Sequence, residues 1–288
     1  MKVRSIKWIE SNPRNDPPLH IADAGERYST VTGVAWLNDH LFVAAHRNGM
    51  KIGLFDTQMS PTLIENFGIP HLCDNIAAKN ISEDIWELAV SGCWEYAYSK
   101  YLLKLKPRAV FEVIDIKKSS DKTFCHGVKY DQFGTLVLSF STGQNPRIER
   151  NNFSWYLPYP YGARDTCINP KNGQLYALAV SQDPKSFSYQ ETKTAIFSHQ
   201  PIKNTFQLIF ELNGTHSDSC KIFNDRLWLG DQKSSRVLGI NLTDHSLSTE
   251  LKGGAFSFPH GLDISDDGML AVTNYGNSSI SIFDISKI

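Results

Sequence analysis

The sequence predicts an all-β protein, folded as a six-bladed β-propeller with four-stranded antiparallel blades. The first observation is a repeat, in which six apolar strands open on a polar or histidine residue, then a small residue, then an aliphatic residue or cysteine. The openings lie about 40–50 residues apart, a spacing that indicates a propeller or solenoid. The second observation is that each opening strand is followed, after a turn, by another short strand. The six opening residues are Thr32, Asp74, His126, Asp165, Asp218 and His260.

The turns between the first and second strands have the residues that hairpins need. In the last repeat, Ser265-Asp266-Asp267-Gly268 precedes the strand Met269 to Asn274, and Asp-Gly supplies the positive φ angles of such a turn. The corresponding turns of the other repeats contain Asn, Asp or Gly and span residues 38–39, 80–84, 131–134, 170–173 and 224–225. Each repeat is therefore predicted to be an antiparallel meander.

A fourth, outer strand is predicted after most third strands, over residues 62–67, 109–116, 206–212 and 246–252. The last repeat ends at Ile288 after three strands, whereas the N-terminal segment Val3 to Ile9 is β-compatible and otherwise unassigned. We therefore expect the N-terminal strand to complete the last blade, because closure of the ring protects both sheet edges.

Composition and charge limit the classes of protein and partner. A hydrophobic content of 41% with 20% charged residues is typical of a globular chain, and we expect one domain over residues 1–288. The net charge of -1 argues against a nucleic-acid partner. The sequence shows neither a signal peptide nor a membrane span, and no glycine-rich nucleotide motif. These observations predict a cytoplasmic protein without membrane partners or nucleotide cofactors, and its five cysteines predict buried free thiols.

The last repeat carries a family resemblance. Phe258-Pro259-His260-Gly261-Leu262, together with Asp266-Asp267-Gly268 and residues 271–277, resembles NHL and YVTN repeats, and residues 124–128 resemble them more faintly. Six-bladed propellers with such repeats belong to a superfamily that also contains lactonase-like and peptidylglycine-lyase-like enzymes. The resemblance implies the fold and raises the expectation of a metal site, but a fold shared by many chemistries does not select a reaction.

The two enzyme types are matched to different extents. Peptidylglycine-lyase-like propellers hold their metal with three axial histidines, of which this sequence offers two, His126 and His260. Lactonase-like propellers have a glutamate ligand on the first inner strand, where this sequence has Thr32. The resemblance therefore does not carry over the calcium site or the lactone chemistry.

The opening residues predict a ring at one mouth of the axial channel. Residues three repeats apart should face each other across a six-bladed ring, so His126 opposes His260 and Asp74 opposes Asp218. Converging carboxylates and imidazoles must share protons, form ion pairs or bind a cation. A divalent metal held by His126, His260 and Asp218 is the simplest solution, and Zn²⁺, Fe²⁺ or Mn²⁺ suit these ligands better than Ca²⁺.

Side-chain alternation along the strands predicts an apolar layer that closes the channel beneath this ring. Its members are expected to be Val34, Ile76, Val128, Cys167, Cys220 and Leu262.

Several polar residues near the ring have candidate roles in catalysis. Asp74, Asp165, Asp218 and His216 are candidate general acids or bases, and Arg164 is a candidate for binding an anionic substrate. Structural roles compete with each of these assignments. The aspartates can cap loops, His216 can lie in a surface loop, Arg164 can pair with a neighbouring carboxylate, and the ring histidines can bond a neighbouring blade.

Two long aromatic segments are predicted at the mouth, where they could form the walls of a substrate pocket. The first includes Trp94 and Tyr96, and the second, over residues 151–161, includes Trp155 and Tyr161. Long irregular segments in compact domains are usually functional or disordered, and the aromatic content argues against disorder. The competing interpretation is that they cover the outer face of blades 2 and 3 or form a protein contact surface.

Together these patterns predict an enzyme, a metal-dependent lyase or hydrolase that acts on a small organic molecule or modified peptide at the axial mouth. Two alternatives stay open. One is a nonenzymatic scaffold that binds a ligand or protein, and the other is acid–base catalysis by the same ring without a metal.

Overall fold

The computed structural model describes residues 3–7, 30–59, 63–92, 96–119, 123–142, 145–151, 153–181 and 192–288. Within these ranges every regular element is a β-strand, and 24 strands form six antiparallel sheets of four strands each. Each sheet is one blade of a propeller, as the sequence predicts. No helix capable of crossing a membrane occurs in the described part of the chain.

The strands of the first three blades follow one another from the inner to the outer edge. Blade 1 contains β2 (Val31–Trp36), β3 (Leu41–His46), β4 (Lys51–Asp56) and β5 (Leu63–Gly68). Blade 2 contains β6 (Cys73–Ser82), β7 (Ile85–Gly92), β8 (Tyr96–Lys104) and β9 (Val110–Lys118). Blade 3 contains β10 (Phe124–Tyr130), β11 (Leu136–Thr142), β12 (Arg147–Arg150) and β13 (Phe153–Trp155).

The last three blades repeat this arrangement. Blade 4 contains β14 (Tyr161–Ile168), β15 (Leu175–Ser181), β16 (Lys193–Gln200) and β17 (Thr205–Asn213). Blade 5 contains β18 (Cys220–Phe223), β19 (Arg226–Asp231), β20 (Arg236–Asn241) and β21 (Leu247–Lys252). Blade 6 contains β22 (Pro259–Ile264), β23 (Met269–Asn274), β24 (Ser279–Asp284) and, as its outer strand, β1 (Val3–Lys7).

The N-terminal strand closes the ring. β1 pairs antiparallel with β24, so that Val3 lies opposite Phe283 and Lys7 opposite Ser279. This pairing confirms the predicted closure, although Ile9, the predicted end of the strand, lies outside the described residues. The first and last segments of the chain thus share one sheet, which leaves no gap between blades 6 and 1.

The apolar core lies between the blades. Six clusters of buried side chains each combine residues of two adjacent blades. These clusters contain every member of the layer predicted to close the channel: Val34, Ile76, Val128, Cys167, Cys220 and Leu262. The predicted apolar plug is therefore wrong, because these side chains point between blades. The described cysteines, Cys73, Cys125, Cys167 and Cys220, are buried.

A β-bulge at the start of the inner strand explains this difference. In β10 the extra residue is His126, which lies between the pairs Cys125–Phe140 and Gly127–Ser139. In β14 the extra residue is Arg164, and β2, β6 and β22 have a register shift at the same point. A bulge breaks the alternation of side chains and redirects the extra residue, so a simple period of two does not describe these strands.

The small residue after the ring position allows neighbouring inner strands to approach closely. A Cβ atom on Gly261 would lie 2.2 Å from the Thr32 carbonyl oxygen, and one on Gly127 would lie 2.5 Å from the Arg164 carbonyl oxygen. Contacts this short are not tolerated between real atoms, so glycine is required by packing at both positions.

We expect Gly261→Ala to destabilise the fold by about 1–3 kcal/mol, because the added methyl group overlaps the backbone of blade 1. The matched control is Gly254→Ala, since nothing lies within 4 Å of a Cβ atom at that position. Urea unfolding followed by fluorescence measures both variants. Equal free energies of unfolding for the two variants would contradict the close approach of the strands.

Candidate axial site

The two ring histidines meet at the centre of the propeller. His126 of blade 3 and His260 of blade 6 are both buried, and their rings stack with centroids 5.5 Å apart at an interplanar angle of 18°. Because these residues come from blades on opposite sides of the ring, their contact agrees with the facing arrangement that the repeat spacing predicts.

Each histidine is oriented by the blade that follows it. Nδ1 of His126 lies 3.0 Å from the Arg164 carbonyl oxygen, and Nδ1 of His260 lies 3.1 Å from the Thr32 carbonyl oxygen. A carbonyl oxygen only accepts, so Nδ1 carries the proton in both rings. In a neutral imidazole the lone pair is then on Nε2. The hydrogen bond from Nδ1 to a neighbouring blade, which was expected as a structural role, therefore also determines where Nε2 points.

Two aspartates surround these Nε2 atoms. Nε2 of His126 lies 3.0 Å from Oδ2 of Asp74 and 3.4 Å from Oδ1 of Asp218. Nε2 of His260 lies 3.8 Å from Oδ1 of Asp74 and 3.5 Å from Oδ2 of Asp218. All four side chains are buried. The structure thus brings together four of the predicted ring residues in one compact cluster.

Three members of the cluster have the spacing of a metal site. One ligand atom from each of Asp74, His126 and His260 lies within 4.8 Å of the other two. The sequence prediction places Asp218 in the ligand set, whereas this spacing selects Asp74. Asp218 lies 3.4 Å from Nε2 of His126 and 3.5 Å from Nε2 of His260, distances that would allow it to support or complete the same site.

Arginines balance the two aspartates. Arg47 donates from Nη1 to Oδ1 of Asp74 at 3.1 Å, and Nε of Arg164 lies 3.5 Å from Oδ1 of Asp218. Sequence reasoning missed Arg47, which follows β3 at the end of the second strand. Arg47 could have been found from its position between β3 and β4, because the turns after the second strand of each blade lie at the same mouth as the ring.

Blade 4 differs from the prediction by one residue. Arg164 occupies the bulge and offers its carbonyl to His126, as Thr32 does to His260. Asp165 therefore lies one position beyond the ring, where its Oδ2 accepts hydrogen bonds from Ser219 Oγ and the Cys220 amide, both at 3.0 Å. The error arose because Asp165-Thr166-Cys167 matches the repeat pattern as well as the true register does.

A second group of charges lies beneath the ring, where the sequence predicts apolar residues. Nζ of Lys129 lies 3.5 Å from Oδ2 of Asp165, and Nζ of Lys221 lies 2.7 Å from Oδ1 of Asp263. Asp263 also accepts a hydrogen bond from the Trp36 amide at 2.9 Å. The signal that was overlooked is a charged residue three positions after His126, Asp218 and His260.

The buried charges alter the ionisation of the cluster. Burial alone would raise the pKa of Asp74, but His126, His260 and Arg47 lower it to about 2. Burial opposes ionisation of Asp218 too, yet His216, His126 and Arg164 hold the pKa of Asp218 well below its ordinary value. Both aspartates are therefore carboxylates at neutral pH.

Burial of the imidazoles favours their neutral form. Burial lowers the pKa of His260, although Asp74 and Asp218 oppose the effect. Burial lowers the pKa of His216 as well, against the attraction of Asp218. Two groups beneath the ring also shift. Burial would lower the pKa of Lys129, but the carboxylates of Asp165 and Asp263 raise it. Burial raises the pKa of Asp165, although the Lys129 ammonium opposes this effect. The lowered pKa values of His216 and His260 favour neutral imidazoles beside the ionised Asp74 and Asp218.

His216 belongs to the site and is not a surface residue. Its side chain is buried, and its Nε2 lies 3.2 Å from Oδ1 of Asp218. Its backbone amide lies 3.3 Å from Oδ1 of Asp231, which it donates to. The structure thus places a third imidazole at the site, outside the candidate metal set and against Asp218.

Two of the predicted wall residues, Trp155 and Tyr161, contact outer strands of the blades. Trp155 ends β13 in the outer edge of blade 3, donates from Nε1 to Asn204 at 2.9 Å and packs on Phe206. The Tyr161 hydroxyl bonds Glu211 in the outer strand of blade 4.

Tyr96 begins β8 and stacks on His71, with ring centroids 5.0 Å apart. Among the described residues, the contacts of Trp155, Tyr161 and Tyr96 do not include a member of the axial cluster. Trp94 lies outside the described residues. The covering role on the outer blades therefore fits Trp155 and Tyr161 better than a wall at the mouth, while binding by Tyr96 and Trp94 stays a prediction.

Comparison with known proteins agrees with this architecture. Residues 256–283, which cover β22, β23 and all of β24 except Asp284, match the NHL repeat. A search of curated protein sequences gives no significant match. Aldose sugar dehydrogenase from Streptomyces coelicolor, in its PQQ-bound form, is 10% identical with a TM-score of 0.64, and the match covers 98% of each chain.

Two lyases have the same fold. A streptogramin B lyase is 11% identical with a TM-score of 0.58, and the match covers 98% of this chain and 96% of the lyase. Virginiamycin B lyase from Staphylococcus aureus, as a catalytically inactive histidine-to-alanine variant with quinupristin, is 12% identical with a TM-score of 0.59. That match covers 100% of this chain and 86% of the lyase. The chain is a six-bladed β-propeller that carries an NHL repeat in its last blade.

Proposed function

We propose that this protein is a metal-dependent lyase or hydrolase that acts on a small organic molecule or modified peptide at the axial mouth. The observation that carries the proposal is the arrangement of Nε2 of His126 and His260 beside the carboxylate of Asp74. With Nδ1 protonated, a neutral imidazole directs a lone pair toward carboxylate oxygens, and two lone pairs repel. A cation between them, either a proton or a metal ion, removes the repulsion.

The donor set suits a transition metal. Imidazole nitrogen with carboxylate oxygen is a ligand combination of Zn²⁺, Fe²⁺ or Mn²⁺, whereas Ca²⁺ prefers oxygen alone. The carbonyl groups of Arg164 and Thr32 would act as the outer partners that orient each ligand. A bound divalent ion would supply Lewis-acid chemistry by polarising a substrate carbonyl or hydroxyl.

Proton transfer is assigned to residues beside the ligands. Nε2 of His216 lies 3.2 Å from Oδ1 of Asp218, so the neutral imidazole directs its Nε2 proton toward the carboxylate. The pair can then accept a proton at Nδ1 of His216 while the carboxylate stabilises the resulting imidazolium. Asp165 is held by Ser219 and Cys220 beneath the ring, which favours a supporting role for this candidate. The proposed location is cytoplasmic, on the basis of the sequence features alone.

Lyase chemistry is the first reaction to test. The two lyases share the fold across nearly the whole chain, and one of them is inactive when a histidine is replaced by alanine. A buried histidine pair at the axis is compatible with a similar requirement here. Because the sequence identity is low, the likeness supports a class of reaction and not a particular substrate.

A second candidate function, a nonenzymatic scaffold that binds a ligand or protein, is favoured by one observation. Arg47 and Arg164 contact Asp74 and Asp218, so the cluster approaches neutrality without a bound ion. Under this alternative the ring joins the blades through hydrogen bonds and needs no metal. Metal content therefore separates the two functions.

Protein purified without a metal-affinity tag is expected to bind one divalent ion per chain, measured by elemental analysis and by titration with Zn²⁺ and Mn²⁺. The double variant His126→Ala/His260→Ala should lose this ion, because it lacks both nitrogen ligands. The matched control is His40→Ala, since His40 is half-buried and pairs with Asp39 in the turn between β2 and β3 of blade 1. Absence of stoichiometric metal, with a melting temperature unchanged by chelators, would refute the metal site.

Turnover is to be measured by mass spectrometry on a panel of lactones and cyclic depsipeptides that includes quinupristin. Ring opening by elimination leaves the mass unchanged, whereas hydrolysis adds one water. We expect His216→Asn to lower turnover by about 10²–10⁴-fold while metal binding is retained. The control is His245→Asn, since His245 is exposed and has a φ of 59°, which asparagine tolerates. Activity that survives complete chelation would support metal-free catalysis instead.

A further inference from the structure

We propose, building on the proposed function, that the ligand of the axial site carries an oxyanion, a carboxylate or phosphate group, and that Arg164 binds it. This assignment names the chemical class of the ligand, which the metal site alone does not. It rests on the hydrogen bonding, burial and charge of the residues around Arg164.

Arg164 has unused hydrogen-bond donors in a buried place. Its side chain is 10% exposed, and its recorded ionic contact is the 3.5 Å approach of Nε to Oδ1 of Asp218. Within the described part of the chain, the guanidinium donates no hydrogen bond, and Nε is buried without an acceptor. Leaving the buried Nε–H without an acceptor is costly, and the two Nη groups provide further donors in the same plane.

Asp218 does not satisfy Nε of Arg164, because the 3.5 Å approach of Nε to Oδ1 is an ionic contact without hydrogen-bond geometry. Its Oδ1 lies 3.2 Å from Nε2 of His216 and 3.4 Å from Nε2 of His126. Its Oδ2 accepts a hydrogen bond from Gln232. By contrast, Arg47 on the opposite side of the cluster donates to Asp74 at 3.1 Å. The two arginines are therefore not equivalent, and Arg164 is the one with donors available for a ligand.

Charge balance also favours an anion. An imidazole that coordinates a metal through Nε2 carries no proton there, so it is neutral. Asp74 and Asp218 are already balanced by Arg47 and Arg164, so a bound divalent ion would leave the site with a net positive charge. An anionic group on the ligand restores neutrality in this buried environment. The planar guanidinium matches carboxylate and phosphate groups, to which it can donate two parallel hydrogen bonds.

Arg164 also connects the two proposed subsites. Its carbonyl oxygen accepts the hydrogen bond from Nδ1 of His126, while its side chain lies beside Asp218. One residue therefore orients a metal ligand through its backbone and, under this proposal, binds the oxyanion through its side chain. A substitution that changes the side chain leaves the carbonyl in place, so the two roles can be separated by experiment.

The test is calorimetric titration of the full chain with oxalate and with inorganic phosphate, in the presence and absence of Zn²⁺. We expect Arg164→Gln to weaken anion binding about tenfold or more, because a hydrogen bond to a charged group is lost. Arg164→Lys should recover part of the affinity, since it keeps the charge without the planar fork. The control is Arg226→Gln, because Arg226 bonds Ser248 and the Ile288 carbonyl at the end of the chain.

Metal stoichiometry and melting temperature are measured for every variant, so that loss of the fold is distinguished from loss of the anion site. Tighter binding of oxalate would assign the oxyanion as a carboxylate, and tighter binding of phosphate would assign it as a phosphate. Arg164-dependent anion binding without any metal binding would support this proposal while refuting the proposed metal function. Metal binding with no anion affinity, or with equal affinity in Arg164→Gln, would overturn it.

Discussion

The hydrogen bonds from the two axial histidines to carbonyl groups of the following blades determine the geometry of the whole site. Each of these bonds places the proton on Nδ1 and directs Nε2 toward the aspartates. They form because a bulge turns the ring residue toward the next blade, and because glycine beside it lets the strands approach. The fold and the proposed chemistry therefore depend on the same contacts, since a ring histidine joins blades with one nitrogen and presents the other.

Burial makes this arrangement sensitive to charge. Two carboxylates remain ionised only because arginines and imidazoles surround them, and neutral His260 directs a lone pair at oxygens that also carry lone pairs. A cation at this point relieves the repulsion, and an oxyanion beside Arg164 compensates the added charge. The second charged group, around Lys129 and Asp165, shows that ionic contacts continue below the ring. Electrostatics thus links the metal, the ligand and the proton-transfer residues within one buried volume.

The sequence was sufficient to predict the blades, because turn residues and apolar strands recur regularly and the N-terminal strand had no other partner. The facing of His126 and His260 followed from the same spacing and is confirmed. The register of blade 4 could not be predicted, since Arg164-Asp165 and Asp165-Thr166 both place a polar residue before a smaller one. The charged layer at Lys129 was missed because the β-bulge shifts the alternation of side chains by one residue. Arg47 was missed because residues in turns follow no regular period.

X-ray absorption spectroscopy of the protein loaded with one equivalent of Zn²⁺ tests the central claim most directly, because it reports the ligands themselves. The account predicts scattering from two imidazole rings together with oxygen ligands, at about 2.0–2.2 Å from the metal. The imidazole contribution should disappear in His126→Ala/His260→Ala. A spectrum of the unaltered protein without imidazole scattering would contradict the claim that the axial histidines hold a metal ion.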